Sequence, residues 1–344
     1  MLLTGDYILP QELTGYVRAA LADYNFNQFT LSQWLPNQII DDIDYRIDRG
    51  GAGLAEAATY RTYDQESPIG NREGLSRIAG EMPPISRKVR LSEYDRLRYR
   101  NAPDQAVLDA VLNDGRKLAR DIGARVEVAR GQALVSGTVP FPEFGPQFTL
   151  NFNRRASHTV AAATLWSNAA ADIVSDLESW QTVYETTNGV LPGALVVSRR
   201  TLAAMMRNAS VRNLVFPSNV NQASVVGQQT LSDAFAAFGL PQIFTYRSQV
   251  LSGGAATFVI PDNVVLYLPA PVASDDFQGT QLGSTLWGTT AQAAEPAFGV
   301  LNAMPGMVAG LYRDIDPPSL WTICAAIAVP VLPNPDLSFA ATVL

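Results

Sequence analysis

Between positions 103 and 136 apolar and polar residues alternate with the period of a helix. Leu108, Val111, Leu112, Leu118, Ile122, Val126 and Ala129 recur at steps of three and four, while Asp109, Arg116, Lys117, Arg120, Asp121, Glu127 and Arg130 take the other face. Pro103 is allowed in a first helical turn, Asp104 suits the positive end of the helix dipole, and Gly131 and Gly137 act as stop signals. The spacing predicts one amphipathic helix on the order of 40 Å long, a beam across a domain. Gly115 and Gly123 within it predict a slight bend or a close contact.

Before the helix the pattern changes twice. Residues 13 to 24 are briefly amphipathic, but two or three helical turns are unstable alone, so residues 1–40 read as an arm docked on something else. From 41 to 92 the period is two. Ile43, Tyr45 and Ile47 alternate with Asp44, Arg46 and Asp48, and the alternation resumes at Val89 and Leu91. The roughly thirty residues between carry almost no core signal, which predicts a long projecting hairpin of functional or intermolecular use.

After the helix, Phe148, Leu150 and Phe152 predict a strand, and Ile173, Leu177, Trp180, Val183 and Tyr184 a second helical stripe ended by Asn188 and Gly189. Residues 194 to 197 read as a buried strand with a helix over 201–206 behind it. Thr230 caps a helix closed by Gly239. Residues 243–246, 257–260 and 264–268 are strand candidates, the last two joined by a turn at Pro261, Asp262 and Asn263. The series is α+β.

Composition sharpens this. Apolar residues make up 47% of the 344, charged ones only 17%, and well over half of the charges fall within residues 1–130. Soluble proteins carry roughly 25% charged residues, so the second half is short of polar surface and is expected to be covered by other subunits. A net charge of −7 argues against sequence-independent nucleic-acid binding, which needs a basic field. Cys324 is the only cysteine, so no internal disulfide can form. No signal-like leader opens the chain and the longest apolar run, 320 to 332, is too short to span a bilayer, so a soluble intracellular product is expected.

Candidate chemistry is sparse. His158 is the sole histidine and has no evident nucleophile beside it, so a structural or solvent-facing role is expected. Asp41, Asp42, Asp44 and Asp48 could hold a cation, but they lack the ligand order and glycine of an EF-hand loop and suit the solvated face of a hairpin. The basic cluster Arg87, Lys88, Arg90, Arg96, Arg98 and Arg100 reads as a partner of acidic loops on neighbouring subunits ahead of packaged DNA. Trp180 and Tyr184 lie on an apolar helical face and read as core. No catalytic, cofactor or metal residue is assigned.

An ordered series of short runs carries a family resemblance. It comprises Leu31-Ser32-Gln33, Arg49-Gly50-Gly51, the long helix, Phe148 to Asn153 with Arg154, Trp166-Ser167, and Pro261-Asp262-Asn263. It closes with Trp321, the alternation over 326–332 and Pro335-Asp336. In that order and spacing the chain resembles the major capsid protein E family of tailed phages. The resemblance implies the α+β Hong-Kong-97-type capsid fold, with an N-terminal arm (1–40), an extended loop hairpin (41–92), a peripheral domain (93–189) with a spine helix (103–136), an axial domain (190–310) and C-terminal strands returning to the peripheral domain (311–344). It further implies a non-enzymatic subunit, without cofactors, of the icosahedral head of a double-stranded DNA phage. Such a subunit forms pentamers and hexamers in the host cytoplasm, with DNA on the inner face, no membrane, and scaffold, protease and decoration proteins as further candidate partners. Arg46, Arg49, Tyr60, Arg61, Tyr63, Arg72, Arg77, Arg87 and Arg90 are the assembly-contact candidates. The alternatives are an encapsulin-like nanocompartment shell and, in another class, a cytosolic hydrolase.

Overall fold

The computed structural model describes residues 8–49, 57–58, 60–67, 76–98, 104–145, 148–216, 225–272, 280–295, 298, 304–316 and 319–344. Its axis is a helix of 33 residues, Asp104–Ser136. Two hydrophobic cores meet along that helix. Val111, Leu118, Ile122 and Val126 enter one, together with Leu13, Val17, Cys324 and Ala326, while Ala129, Ala133 and Leu134 enter the other. The beam predicted from the periodicity therefore joins two cores. It ends at Gly137, whose φ of +69° is the left-handed conformation that suits glycine, with its N–H bonded to the Ala133 carbonyl at 3.0 Å. Gly131 does not stop the helix as expected. A Cβ there would sit 2.6 Å from Val259 Cγ1 and 2.8 Å from the Val259 carbonyl oxygen, so this glycine permits close packing instead.

The N-terminal helix, Pro10–Asn27, starts with proline in its first turn and buries Leu13, Val17 and Leu21. What it docks on is its own chain: Leu13 and Val17 lie over Gly115, and Leu21 and Phe29 over Gly123, the close contact foreseen for those glycines. Thr14 donates to the Ala309 carbonyl at 2.9 Å and Arg18 Nε to that of Met307 at 2.8 Å.

Around the first core, Ser319–Val331 is the central strand of a sheet with Asn37–Ile39, Pro84–Leu91, Ser284–Gly288 and Val308–Asp314. The second sheet runs Thr159–Ala161, Phe339–Thr342, Val264–Leu268, Ala194–Val197, Gln242–Thr245. Val264–Leu268 and Ala194–Val197 are buried throughout, which is why they read as continuous apolar runs. The helix Ile173–Asn188 packs here, capped by Asp172 on the Ser175 N–H and closed by Gly189 at φ +70°. Trp180 and Tyr184 are core, as expected, with Trp180 stacked on Trp166 at 5.8 Å.

Several pairings differ from the local pattern. Asp44–Arg49 pairs with Ser76–Glu81, inside the segment read as insert, while the Val89 and Leu91 strand pairs with Leu320–Ile327. The turn at Pro261 forms, with Val264 N–H on its carbonyl at 3.1 Å, but it joins strands of different sheets: Ala255–Phe258 pairs with Gln249–Ser252. Thr230 lies inside the helix Gln228–Ala237, whose N-cap is Gly227. The C-terminal strands also part: Ser319–Val331 stays in the first sheet, whereas Phe339–Thr342 enters the second between Val264–Leu268 and Thr159–Ala161.

Candidate assembly surface

The hairpin of Asp44–Arg49 and Ser76–Glu81 is anchored by Tyr45, which is buried over Gly80, and by the buried Met82, whose N–H bonds the Ile43 carbonyl at 3.0 Å. Alternation turns Arg46 outward beside the buried Tyr45, and Arg77 is likewise exposed; the Arg49 backbone pairs with Ser76. Beyond the strands, Tyr60 and Tyr63 are wholly exposed, at 107% and 99%. A local turn holds this stretch. Arg61 Nη1 donates to the Gln65 carbonyl at 2.6 Å, Thr62 Oγ1 donates to Gln65 Oε1 at 3.0 Å, and Asp64 adopts a φ of +64°. Arg72 lies outside the described residues.

The basic strand Pro84–Leu91 makes contacts within its own chain. Arg87 pairs with Asp121 of the long helix at 3.0 Å. Lys88 Nζ lies 4.4 Å from the Trp321 ring and donates to Tyr312 Oη at 3.0 Å, and Arg90 sits 5.7 Å from the same indole. Tyr312 and Trp321 stack at 6.2 Å with their planes 7° apart. The side chains of Arg96, Arg98 and Arg100 fall outside the described residues.

Sequence reasoning missed the densest polar group. Glu127 and Arg130, assigned to the solvated face, are both fully buried and paired at 3.1 Å. Glu127 Oε1 accepts from the Leu31 N–H at 3.0 Å and from Tyr246 Oη at 2.6 Å. Arg130 donates to Thr285 Oγ1 at 2.8 Å, to Asn25 Oδ1 at 3.3 Å and to Asn37 Oδ1 at 2.7 Å. Burial pushes the Glu127 carboxyl up and the Arg130 guanidinium down, and each draws the other back toward its charged state. This group ties the N-terminal segment to the long helix and to both sheet regions. The available signal was the i,i+3 spacing of opposite charges directly beside Val126 and Ala129.

His158 is buried against Phe339 at 5.4 Å and Tyr184 at 6.2 Å, so of its two expected roles the structural one holds. Asp42 Oδ1 accepts the Ile43 N–H at 2.7 Å and the Asp44 N–H at 3.3 Å, making the aspartates a turn. Among the described residues no group of three His, Cys, Asp or Glu side chains could hold a metal, and no helix is long and apolar enough to cross a membrane.

The long helix thus joins two cores, and Tyr60 and Tyr63 bury nothing in their own chain. Residues 43–343 match the family model for phage major capsid protein E, and the chain belongs to that family. Its fold is similar to a phage-related protein from Bordetella bronchiseptica RB50, at 13% identity over 95% of each chain and a TM-score of 0.62. It is also similar to the proposed capsid protein of a prophage from Escherichia coli CFT073, at 12% identity over 96% of this chain and 99% of that one, again with a TM-score of 0.62. No curated protein matches the sequence. The α+β capsid fold implied by the resemblance is the fold found, and the protein is a structural subunit of a bacteriophage shell, placed in the virion capsid.

Proposed function

We propose that this chain tiles as pentamers and hexamers into the icosahedral head of a tailed phage, assembled in the host cytoplasm around double-stranded DNA, and that it contributes no catalysis and holds no cofactor. Residues 1–40 act as the arm, Asp104–Ser136 as the spine, and the segment from Asp44 to Glu81 as the extended loop, shorter than the 41–92 span because Pro84–Leu91 belongs to a sheet. The regions around the first and second sheets correspond to the peripheral and axial domains. The observation that carries this reading is the hairpin itself. Tyr60 and Tyr63 bury nothing in their own chain, and aromatic side chains held free of a core are the kind enriched at interfaces.

Negative-stain microscopy of the purified protein, alone and with its neighbouring gene products, tests it. Closed shells large enough for a genome are expected. Particles too small for a genome would favour the encapsulin-like alternative, and a field of unassembled subunits under every condition would overturn both.

A further inference from the structure

The helix Arg199–Arg207 and the turn after the strand Gln242–Thr245 border a cleft of about 790 Å³. Arg199, Arg200, Arg207 and Arg247 line it, and all four side chains are exposed. Among the described residues none of the four is in an ion pair. The acidic residue in the lining is Asp262, so four guanidinium groups face one carboxylate. Phe258, 40% exposed, supplies an apolar wall. Such a concentration of positive charge stands out on a chain of net charge −7, whose copies repel one another at long range.

The same chain carries a complement. Asp41, Asp42 and Asp44 are exposed, have no ion-pair partner among the described residues, and flank Ile43, itself 51% exposed. Asp42 holds the turn through its bonds to the Ile43 and Asp44 N–H groups, so little freedom is lost when the turn is bound. Guanidinium forks match carboxylates in geometry as well as charge, and Ile43 matches the Phe258 wall. The overall negative charge of the chain opposes the approach of nucleic acid.

We propose that the arginine cleft receives the acidic turn 41–44 of a second copy of this chain. The inference rests on the shell reading and names one contact within it.

Charge exchange tests it. The double variant Arg200→Glu, Arg247→Glu and the double variant Asp41→Arg, Asp44→Arg alter exposed side chains only and spare Asp42, so circular dichroism melts should match the wild type. Each double variant is expected to raise the concentration at which shells form, followed by light scattering at low ionic strength, by on the order of tenfold, and the fourfold combination to restore it. Unchanged assembly of either double variant, or no recovery in the combination, would overturn the proposal. Normal shells with less encapsidated nucleic acid from the Arg200→Glu, Arg247→Glu chain would also overturn it and assign the cleft to nucleic acid. Failure of the wild-type chain to form shells would instead sink the shell reading itself.

Discussion

Glu127 and Arg130 show how one pair of side chains holds a junction of elements. Burying two charges is expensive, and the cost is offset here only because the pair is closed by Leu31, Tyr246, Thr285, Asn25 and Asn37. Arg130→Met would leave the Glu127 carboxylate buried without its cation, and a loss of about 3–5 kcal/mol in urea unfolding is expected. A loss below about 1 kcal/mol would mean that water reaches the site. His158 gives a pH signature. Burial holds its imidazole below the ordinary 6.5, with Asp336 opposing that shift and Arg154 and Arg155 adding to it. The unfolded chain therefore takes up the proton first. The stability tied to neutral His158 is complete above about pH 6.5 and is lost as pH falls from there toward the depressed folded value. Melting curves of the wild type should fall more steeply below pH 6.5 than those of His158→Gln, and parallel profiles would refute this.

At the scale of elements, the hairpin is two things joined. Its strands, with Tyr45 over Gly80, belong to the folded body, whereas the stretch carrying Tyr60 and Tyr63 does not. Removing residues 51–75 and closing the gap with a short turn should leave native circular dichroism and abolish shells in negative stain. Removing residues 51–81 also takes the partner strand of Asp44–Arg49 and should lower the melting temperature as well. Equal stability of the two deletions would show that the strand pair contributes nothing. Helices and buried strands were legible in this chain because their periodicity is local. The hairpin partner was not: Ser76–Glu81 alternates too weakly to stand out, and only its ladder to Asp44–Arg49 makes it a strand.

For the whole molecule, copies are expected to be held together without covalent links. The two lysines are Lys88, engaged with Trp321 and Tyr312, and Lys117, in the long helix, so neither is in the hairpin loop. A covalent link between copies through a side-chain nitrogen needs a lysine amine as nucleophile, and arginine cannot replace it because its guanidinium stays protonated. Cys324 is buried and its thiol is pushed up to about 12, which removes the disulfide route. Mature particles boiled in denaturant should therefore run as a single subunit-sized band. A ladder of multimers that survives reducing agent would contradict this.

Periodicity and order of motifs determined the long helix, the buried strands and the family, because those signals rest on neighbours a few residues apart. Only the tertiary structure decided where Glu127 and Arg130 point, that Pro84–Leu91 and Ser284–Gly288 share the strand Ser319–Val331, and that Arg199 and Arg247 face one cleft. A helical wheel has one solvated face when a single side is packed, but this helix is covered by the N-terminal helix, by the central strand and by Tyr246. Strand pairing across more than two hundred residues depends on which apolar faces are buried together, a property of the assembled cores rather than of any local stretch.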